Sequence, residues 1–236
     1  AVASDVHGNL SALDAVVADL ERERPDLVVQ GGDLALNGPR PAEVVDRVRE
    51  LGWPGVVGNT DRAVWELESV PGAAYKIFVS LSPATRALLG EERVAWLETL
   101  PMEWRNDREG VALVHAAPGD LWRNVRADTP DRELENVFGV LGAPLAVYGH
   151  IHRPFVTVMP SLTVANSGSV GMPFDGDWRA SYLLIEDGLP ALKRVEYDLE
   201  QELAALAASD YPFADALAEG RRKGAPPDFL RTSRSG

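Results

Sequence analysis

Ala1-Val2-Ala3-Ser4-Asp5-Val6-His7-Gly8-Asn9 opens the chain as a short apolar run that stops at a carboxylate, sets an imidazole two residues on and reaches an Asn. The next apolar residues, Leu10, Leu13, Val16, Val17 and Leu20, recur at a helical period, and Asn9 is suited to cap that helix. The stretch therefore predicts a buried strand whose C-terminal tip carries Asp5 and His7 ahead of a helix. Open α/β sheets bind their ligands at such tips. Alone, a capping Asp beside a polar His is common, so the rest of the chain must supply partners.

The following units repeat the pattern. Leu27-Val28-Val29-Gln30 runs into Gly31-Gly32-Asp33, and Pro41 then starts a helix with Val44, Val45, Val48 and Leu51 on one face, stopped by Gly52. Gly55-Val56-Val57 predicts a third strand, ending in Gly58-Asn59-Thr60-Asp61. Three strand–loop–helix units in succession predict a parallel, doubly wound α/β arrangement. Residues from about 62 to 108 break the rhythm and are expected to form a helical insertion beside the site, with one segment opened by Ser82-Pro83 and another around Val94-Ala95-Trp96-Leu97. The strand Val111-Ala112-Leu113-Val114 then leads into His115. Thr129-Pro130 starts a helix, and Leu145-Ala146-Val147-Tyr148 ends in Gly149-His150-Ile151-His152. Beyond this, Phe155 to Val158, Leu162 to Asn166, Ser181 to Glu186 and Ala191 to Tyr197 predict an antiparallel or mixed sheet, with Asp187-Gly188 as a hairpin turn. The tail from about Leu199 is expected to be helical and Thr232 to Gly236 frayed. No linker or composition shift divides the chain, so residues 1–236 are expected to form a single domain.

Composition narrows the function. A net charge of −13 argues against binding to a nucleic-acid backbone or an anionic membrane. No apolar run approaches a membrane span and no basic leader pattern is present, so a cytoplasmic protein is expected; oligomeric state is not readable. With no cysteine, any metal must sit on His, Asp, Asn or other oxygen ligands, which suits Mn, Mg, Fe or Zn. All four histidines follow apolar strands. Each taken singly is more often structural than a ligand. Taken with Asp5, Asp33 and Asn59, they form a set of strand-end donors that a purely structural role does not require. Two divalent cations about 3.5–4 Å apart need a bridging carboxylate and several neutral donors around it. Asp33, after two glycines that let the chain turn sharply, is the natural bridge, and His150 and His152 alternate so that each could face a different ion.

Asp5-x-His7, Gly31-Gly32-Asp33, Gly58-Asn59-x-Asp61, His115 and Gly149-His150-x-His152 resemble the five ordered blocks of the calcineurin-like metallophosphoesterases. Within that superfamily the chain is similar to the small bacterial and archaeal phosphodiesterases of the YfcE/MJ0936-like type; Asn166-Ser167-Gly168-Ser169-Val170-Gly171 and Asp177-Trp178-Arg179-Ala180-Ser181-Tyr182 add to the likeness. The resemblance implies a four-layer α-β-β-α sandwich, two mixed sheets flanked by helices. It also implies a dinuclear metal centre in which Asp5, His7 and His152 hold one ion, Asn59, His115 and His150 the other, and Asp33 bridges them. Asp33, Asn59 and His115 would then serve catalysis through the two ions, with Mn favoured and Fe, Zn, Ni or Mg as alternatives. A hydroxide shared by the ions would attack phosphorus, so the expected activity is hydrolysis of small-molecule or nucleotide phosphodiesters. A phosphomonoesterase, a Ser/Thr protein phosphatase and a dinucleoside polyphosphate hydrolase share the pattern, and a non-catalytic metal-stabilised interaction module is the rival of another class.

One block departs from the pattern. Many members carry His after the Asn, as the acid for the leaving oxygen, where this chain has Thr60. A threonine hydroxyl cannot act as a general acid near neutral pH. Arg62 either holds a substrate phosphate or pairs with Asp61 or Glu66; Arg179 either does the same or pairs with Asp175 or Asp177. Trp122 and Trp178, in predicted loops, are candidates for stacking on a base, against packing as the alternative. Glu196 to Glu202 reads as a solvated helix start.

Overall fold

The computed structural model describes residues 1–232; residues 233–236 of the stretch expected to fray lie outside the described residues, and Thr232 ends the last helix. Two mixed sheets lie face to face between layers of helix. The first contains β1 (Val2–Ala3), β2 (Val29–Gln30), β8 (Ala180–Glu186) and β9 (Leu189–Val195) in the order β2-β1-β8-β9. The second contains β3 (Glu103–Asn106), β4 (Val111–Val114), β5 (Leu145–Tyr148), β6 (Phe155–Val158) and β7 (Thr163–Asn166) in the order β3-β4-β5-β7-β6. β1 and β2 are parallel, as are β4 with β5 and β5 with β7; β8 joins β1 antiparallel, and β3 and β6 close the second sheet antiparallel.

Strand alternation builds the layers. Val111, Leu113, Leu145 and Val147 face Val2, Val29, Val56 and Leu183 across the gap between the sheets. Their neighbours Ala112, Val114, Ala146 and Tyr148 point the other way, onto α5 (Asp131–Phe138) through Leu134, Val137 and Phe138. Strands buried on both faces read as unbroken apolar runs, which is why β4 and β5 are legible in the sequence. On the outer side of the first sheet, α1 (Leu10–Glu23), α2 (Pro41–Leu51) and α4 (Tyr75–Glu98) pack with the C-terminal helices α6 (Leu199–Ala207) and α7 (Ala214–Lys223). α3 (Asn59–Arg62) and α8 (Asp228–Thr232) are single short turns of helix. Asn9 caps α1, its Oδ1 accepting from the Ala12 N–H at 3.0 Å, and Gly52 closes α2 with φ +66°.

The structure differs from the sequence reading in three places. The parallel units do not form one doubly wound sheet: β1 and β2 lie in one sheet, β4, β5 and β7 in the other, and the late β8–β9 hairpin returns to pair with β1. Gly55-Val56-Val57 makes one parallel bridge from Gly55 to Gln30 and no ladder, because Val57 instead gives its N–H to the Pro101 carbonyl. Within 62–108, Ser82-Pro83 lies inside α4 rather than opening a helix; α4 is broken at Gly90 (φ +71°), and the region ends in β3, an edge strand. No helix among the described residues is long and apolar enough to cross a membrane.

Candidate metal centre

The strand-end turns come together at one edge of the sandwich. The chain after β1, after β2 and after β5 turns through left-handed backbone at residues that are not glycine: Asp5 φ +59°, His7 φ +50°, Asp33 φ +55°, His150 φ +65° and His152 φ +56°. Such conformations cost about 1–3 kcal/mol each and persist only where the surroundings enforce them. Here they fall on candidate ligands, and cross-loop hydrogen bonds enforce them. Asp5 gives its N–H to Gly32 O at 2.9 Å, His7 to Asp33 O at 3.0 Å, and Gly149 to His115 O at 3.0 Å. Glycine is required at two close approaches. A Cβ on Gly149 would overlap the Asp5 carboxylate and Ser4 Oγ, and one on Gly58 would overlap the Asp33 carboxylate.

Asp5, His7, Asp33 and His152 are all buried, and each offers a ligand atom within 4.8 Å of the others. His152 Nε2 lies 3.2 Å from Asp5 Oδ1 and 3.1 Å from His7 Nε2; His7 Nε2 is 3.6 Å from Asp33 Oδ2. The other Asp33 oxygen, Oδ1, lies 3.5 Å from His115 Nε2. Asn59 Oδ1 completes that side, 2.8 Å from His115 Nε2 and 2.9 Å from His150 Nδ1. All seven expected side chains thus converge, with Asp33 offering one oxygen to each half.

The histidine tautomers follow from their outer contacts. His7 Nδ1 meets Leu36 O at 2.7 Å, His115 Nδ1 meets Gly31 O at 2.8 Å, and His152 Nδ1 meets Met172 O at 2.6 Å. A carbonyl only accepts, so each Nδ1 carries a hydrogen, and in its neutral form each ring turns an Nε2 lone pair inward. With the rings neutral, the centre sets acceptor against acceptor, His7 Nε2 against His152 Nε2 and His152 Nε2 against Asp5 Oδ1. Only a proton or a cation among them relieves that arrangement. Burial, with the neighbouring His152, pushes the His7 imidazole down to about 3, which disfavours the proton there. The donor set, buried N and O ligands of fixed orientation without thiolate, fits a divalent cation.

The carboxylates divide. Burial and the charge of Asp5 push Asp33 up to about 7, against the Thr60 N–H that donates to its Oδ1 at 2.9 Å. For Asp5, burial acts upward, but the field and hydrogen bond of His152, with His115 and His7 beyond, outweigh it and hold the group below the usual carboxylate range. Two buried carboxylates with opposed protonation preferences, ringed by imidazoles, are the pattern of a cation site or a catalytic one.

Two braces escaped the sequence reading. Asp61 is buried and makes no pair with Arg62: its Oδ1 accepts from Leu34 N at 2.9 Å and Ala35 N at 3.1 Å, and its Oδ2 from Gly58 N at 3.3 Å, clamping the Asp33 turn to the Asn59 turn. Burial, then the charge of Asp33, raises Asp61 to about 7. Arg221, on α7, is also buried. Its Nη2 donates to His7 O at 3.0 Å and Asn37 O at 3.1 Å, its Nε to Gly171 O at 3.3 Å, and its Nη1 lies 2.8 Å from Glu202 Oε1. Glu202 also pairs with Arg40. The expectation of a solvated stretch holds for Asp198, which caps α6 through Gln201 N at 2.9 Å, and fails for Glu202, which is buried. The signal available for Glu202 was its place four residues after the cap, on the apolar face with Leu203 and Leu206.

The other expected contacts settle locally. Arg62 Nε is held by Glu66 at 2.6 Å and Arg179 Nη2 by Asp177 at 2.7 Å. Trp122 packs edge-on against Phe78 and Trp178 against Tyr197. Asn9 adds a bond from Nδ2 to Gly171 O at 3.1 Å to its capping role.

The five blocks, in sequence order and in space, carry a family signature, and a sequence model described as the calcineurin-like phosphoesterase superfamily domain matches residues 1–187. The chain belongs to the calcineurin-like phosphoesterase superfamily. A metallophosphoesterase from Sphaerobacter thermophilus, known from its crystal structure, is 28% identical and superposes with a TM-score of 0.79 over 94% of this chain and 97% of that one. An uncharacterized protein of Methanocaldococcus jannaschii is 29% identical, covering 90% of this chain and 93% of its own length. A symmetrical bis(5'-nucleosyl)-tetraphosphatase of Yersinia enterocolitica is 31% identical over 72% of this chain, but that match spans only 61% of the relative. The superfamily domain match ends at residue 187, so Arg221 and Glu202, which brace the His7 turn, come from the segment after it.

Proposed function

We propose that this protein is a dinuclear metal-dependent phosphoesterase that hydrolyses small phosphoesters, nucleotides among them. One observation carries the reading: seven side chains from five turns converge, with the Nε2 atoms of His7, His115 and His152 and the carboxylate oxygens of Asp5 and Asp33 facing one another, an arrangement that a cation among them relieves. Asp5, His7 and His152 would hold one ion and Asn59, His115 and His150 the other, with Asp33 shared. Divalent ions held there supply Lewis acidity at the phosphoryl oxygens and an activated water for attack on phosphorus. The chain's own residues set the geometry. Leu36 O, Gly31 O and Met172 O fix three imidazoles in the ligating tautomer, and Thr60 N–H orients Asp33.

What this chain does not provide is an acid at the Thr60 position. The leaving oxygen departs without a protein proton from there, so substrates with acidic leaving groups should be favoured. Phosphoanhydrides have such leaving groups. The similarity to a bis(5'-nucleosyl)-tetraphosphatase favours them as a second reading within the same chemistry. The test is a panel with Mn²⁺: bis(p-nitrophenyl) phosphate, p-nitrophenyl phosphate, diadenosine tetraphosphate and a phosphoserine peptide. Turnover of the diester or the dinucleotide above the monoester and the peptide is expected. Preference for the phosphopeptide would contradict the reading, and no turnover by protein loaded with two ions would favour an interaction module.

A further inference from the structure

We propose that the cleft between the loop after β4 and the turn after β5, which shares the His150–His152 segment with the metal centre, is an anion subsite in which Arg126 and Arg153 hold the phosphates of a nucleoside polyphosphate beyond the one being cleaved. The inference rests on the phosphoesterase reading and names the substrate class it favours.

The cleft has a volume of about 310 Å³ and is lined by Asn124, Arg126, Asp128, Ile151, Arg153 and Pro154, among others. Ile151, one of its lining residues, is buried and lies between His150 and His152 in the chain, so the cleft and the centre share one turn. Both walls leave the C-terminal ends of parallel strands, the edge at which open sheets bind ligands. Both are also held in place. Tyr148 Oη donates to Val125 O at 2.9 Å, and Arg126 N–H to Thr129 Oγ1 at 3.0 Å. On the other side, His152 is fixed by Met172 O and followed by Arg153 and Pro154.

Charge and placement together single out these two arginines: Arg24, Arg132 and Arg222 also stand outside the ion pairs, but none of them lines this cleft. The chain carries a net −13, and its arginines are largely taken up by carboxylates: Arg40 by Glu202, Arg62 by Glu66, Arg123 by Glu133, Arg179 by Asp177. Among the described residues Arg126 and Arg153 form no ion pair. With Asp128 on the same rim, the cleft holds two guanidiniums against one carboxylate and is net positive in a negative molecule. Guanidinium forks match phosphate oxygens in pairs of hydrogen bonds, and the Asn124 amide adds a donor. A substrate with a single phosphate would leave these groups idle, whereas a chain of phosphates running from the centre would use both.

The experiment compares the wild type with Arg126→Ala, Arg153→Ala and the double variant, using diadenosine tetraphosphate and bis(p-nitrophenyl) phosphate with Mn²⁺. Binding of inorganic tripolyphosphate to the metal-free protein, followed by calorimetry, gives a readout independent of turnover. The double variant is expected to raise KM for the dinucleotide at least tenfold with kcat little changed, to leave the aryl diester unaffected, and to lose tripolyphosphate binding. Unchanged dinucleotide KM and unchanged tripolyphosphate binding would overturn the subsite and leave the phosphoesterase reading standing. Arginine-dependent tripolyphosphate binding in a protein that turns over neither substrate would do the reverse.

Discussion

Replacing Arg221 should unfold the His7 turn from behind. The guanidinium is fully buried and links four elements: Glu202 on α6, and the carbonyls of His7, Asn37 and Gly171. Arg221→Ala removes one partner of a buried ion pair, a change that costs about 3–5 kcal/mol when the remaining charge is left uncompensated. Arg40 keeps Glu202 partly compensated, which lowers that figure. The three carbonyls lose charge-assisted bonds, each worth about 1.5–3 kcal/mol in isolation but not additive. A net loss of about 3–5 kcal/mol follows, a large fraction of the ~5–15 kcal/mol that holds a typical domain folded. Urea denaturation of the metal-free protein, with the slope checked against wild type, measures it. Arg221→Lys should recover only part of the loss, because an ammonium cannot span the carbonyls of His7, Asn37 and Gly171 while facing Glu202. Metal affinity should fall in parallel, since His7 turns on the backbone that Arg221 holds. A destabilisation below about 1 kcal/mol, with unchanged metal affinity, would refute the role of the C-terminal helices as a brace.

Other outcomes follow from the same geometry. Gly149→Ala drives a methyl group into the Asp5 carboxylate and should abolish metal binding while Gly176→Ala, at an open turn with positive φ, costs only stability; calorimetric metal titration of both separates the effects. Asp33, held up to about 7 from 3.8, keeps a proton in the folded metal-free chain that the unfolded chain releases, so its contribution to metal-free stability is present at low pH and declines as pH rises from 3.8 toward 7. Asp61 acts in the same direction over the same window, whereas His7, held down to about 3 from 6.5, adds stability as pH rises between those values. Because a cation needs Asp33 ionised, metal binding at pH 6 should release a proton, with affinity falling about tenfold per pH unit below 7; equal binding enthalpies in buffers of different ionisation enthalpy at pH 6 would contradict this. With no acid at Thr60, log kcat for a series of aryl phosphodiesters should fall steeply as leaving-group pKa rises, and Thr60→His should flatten the slope; a flat wild-type dependence would sink the idea.

Most of the centre was legible because its residues are chemically marked and punctuated. Each of Asp5, Asp33, His115 and His150 sits just past an apolar strand and beside glycine or another small residue, and a chain with only four histidines makes their shared placement conspicuous. The braces were illegible for the opposite reason. Glu202 and Arg221 are separated by 18 residues in a tail with no motif, and nothing local to Arg221 shows that it reaches the carbonyls of His7 and Gly171. The partition of strands between two sheets was hidden too. Period-two burial is the same whichever sheet a strand joins, and the choice of β8 to pair with β1 is made by long-range packing. Arg62 and Arg179 illustrate how local pairing competes with a substrate role: each has a carboxylate within four residues, and the folded chain uses it.

In the proposed function, two ions bound by these side chains carry the chemistry. This is tested by the rate of bis(p-nitrophenyl) phosphate hydrolysis by chelator-treated protein as Mn²⁺ is returned, with bound metal counted on the same samples and Asp33→Asn run beside the wild type. The rate should be near zero without metal, reach its plateau as occupancy approaches two ions per chain, and be lost in Asp33→Asn. A plateau at one ion, or hydrolysis that persists in the chelated protein, would contradict the account.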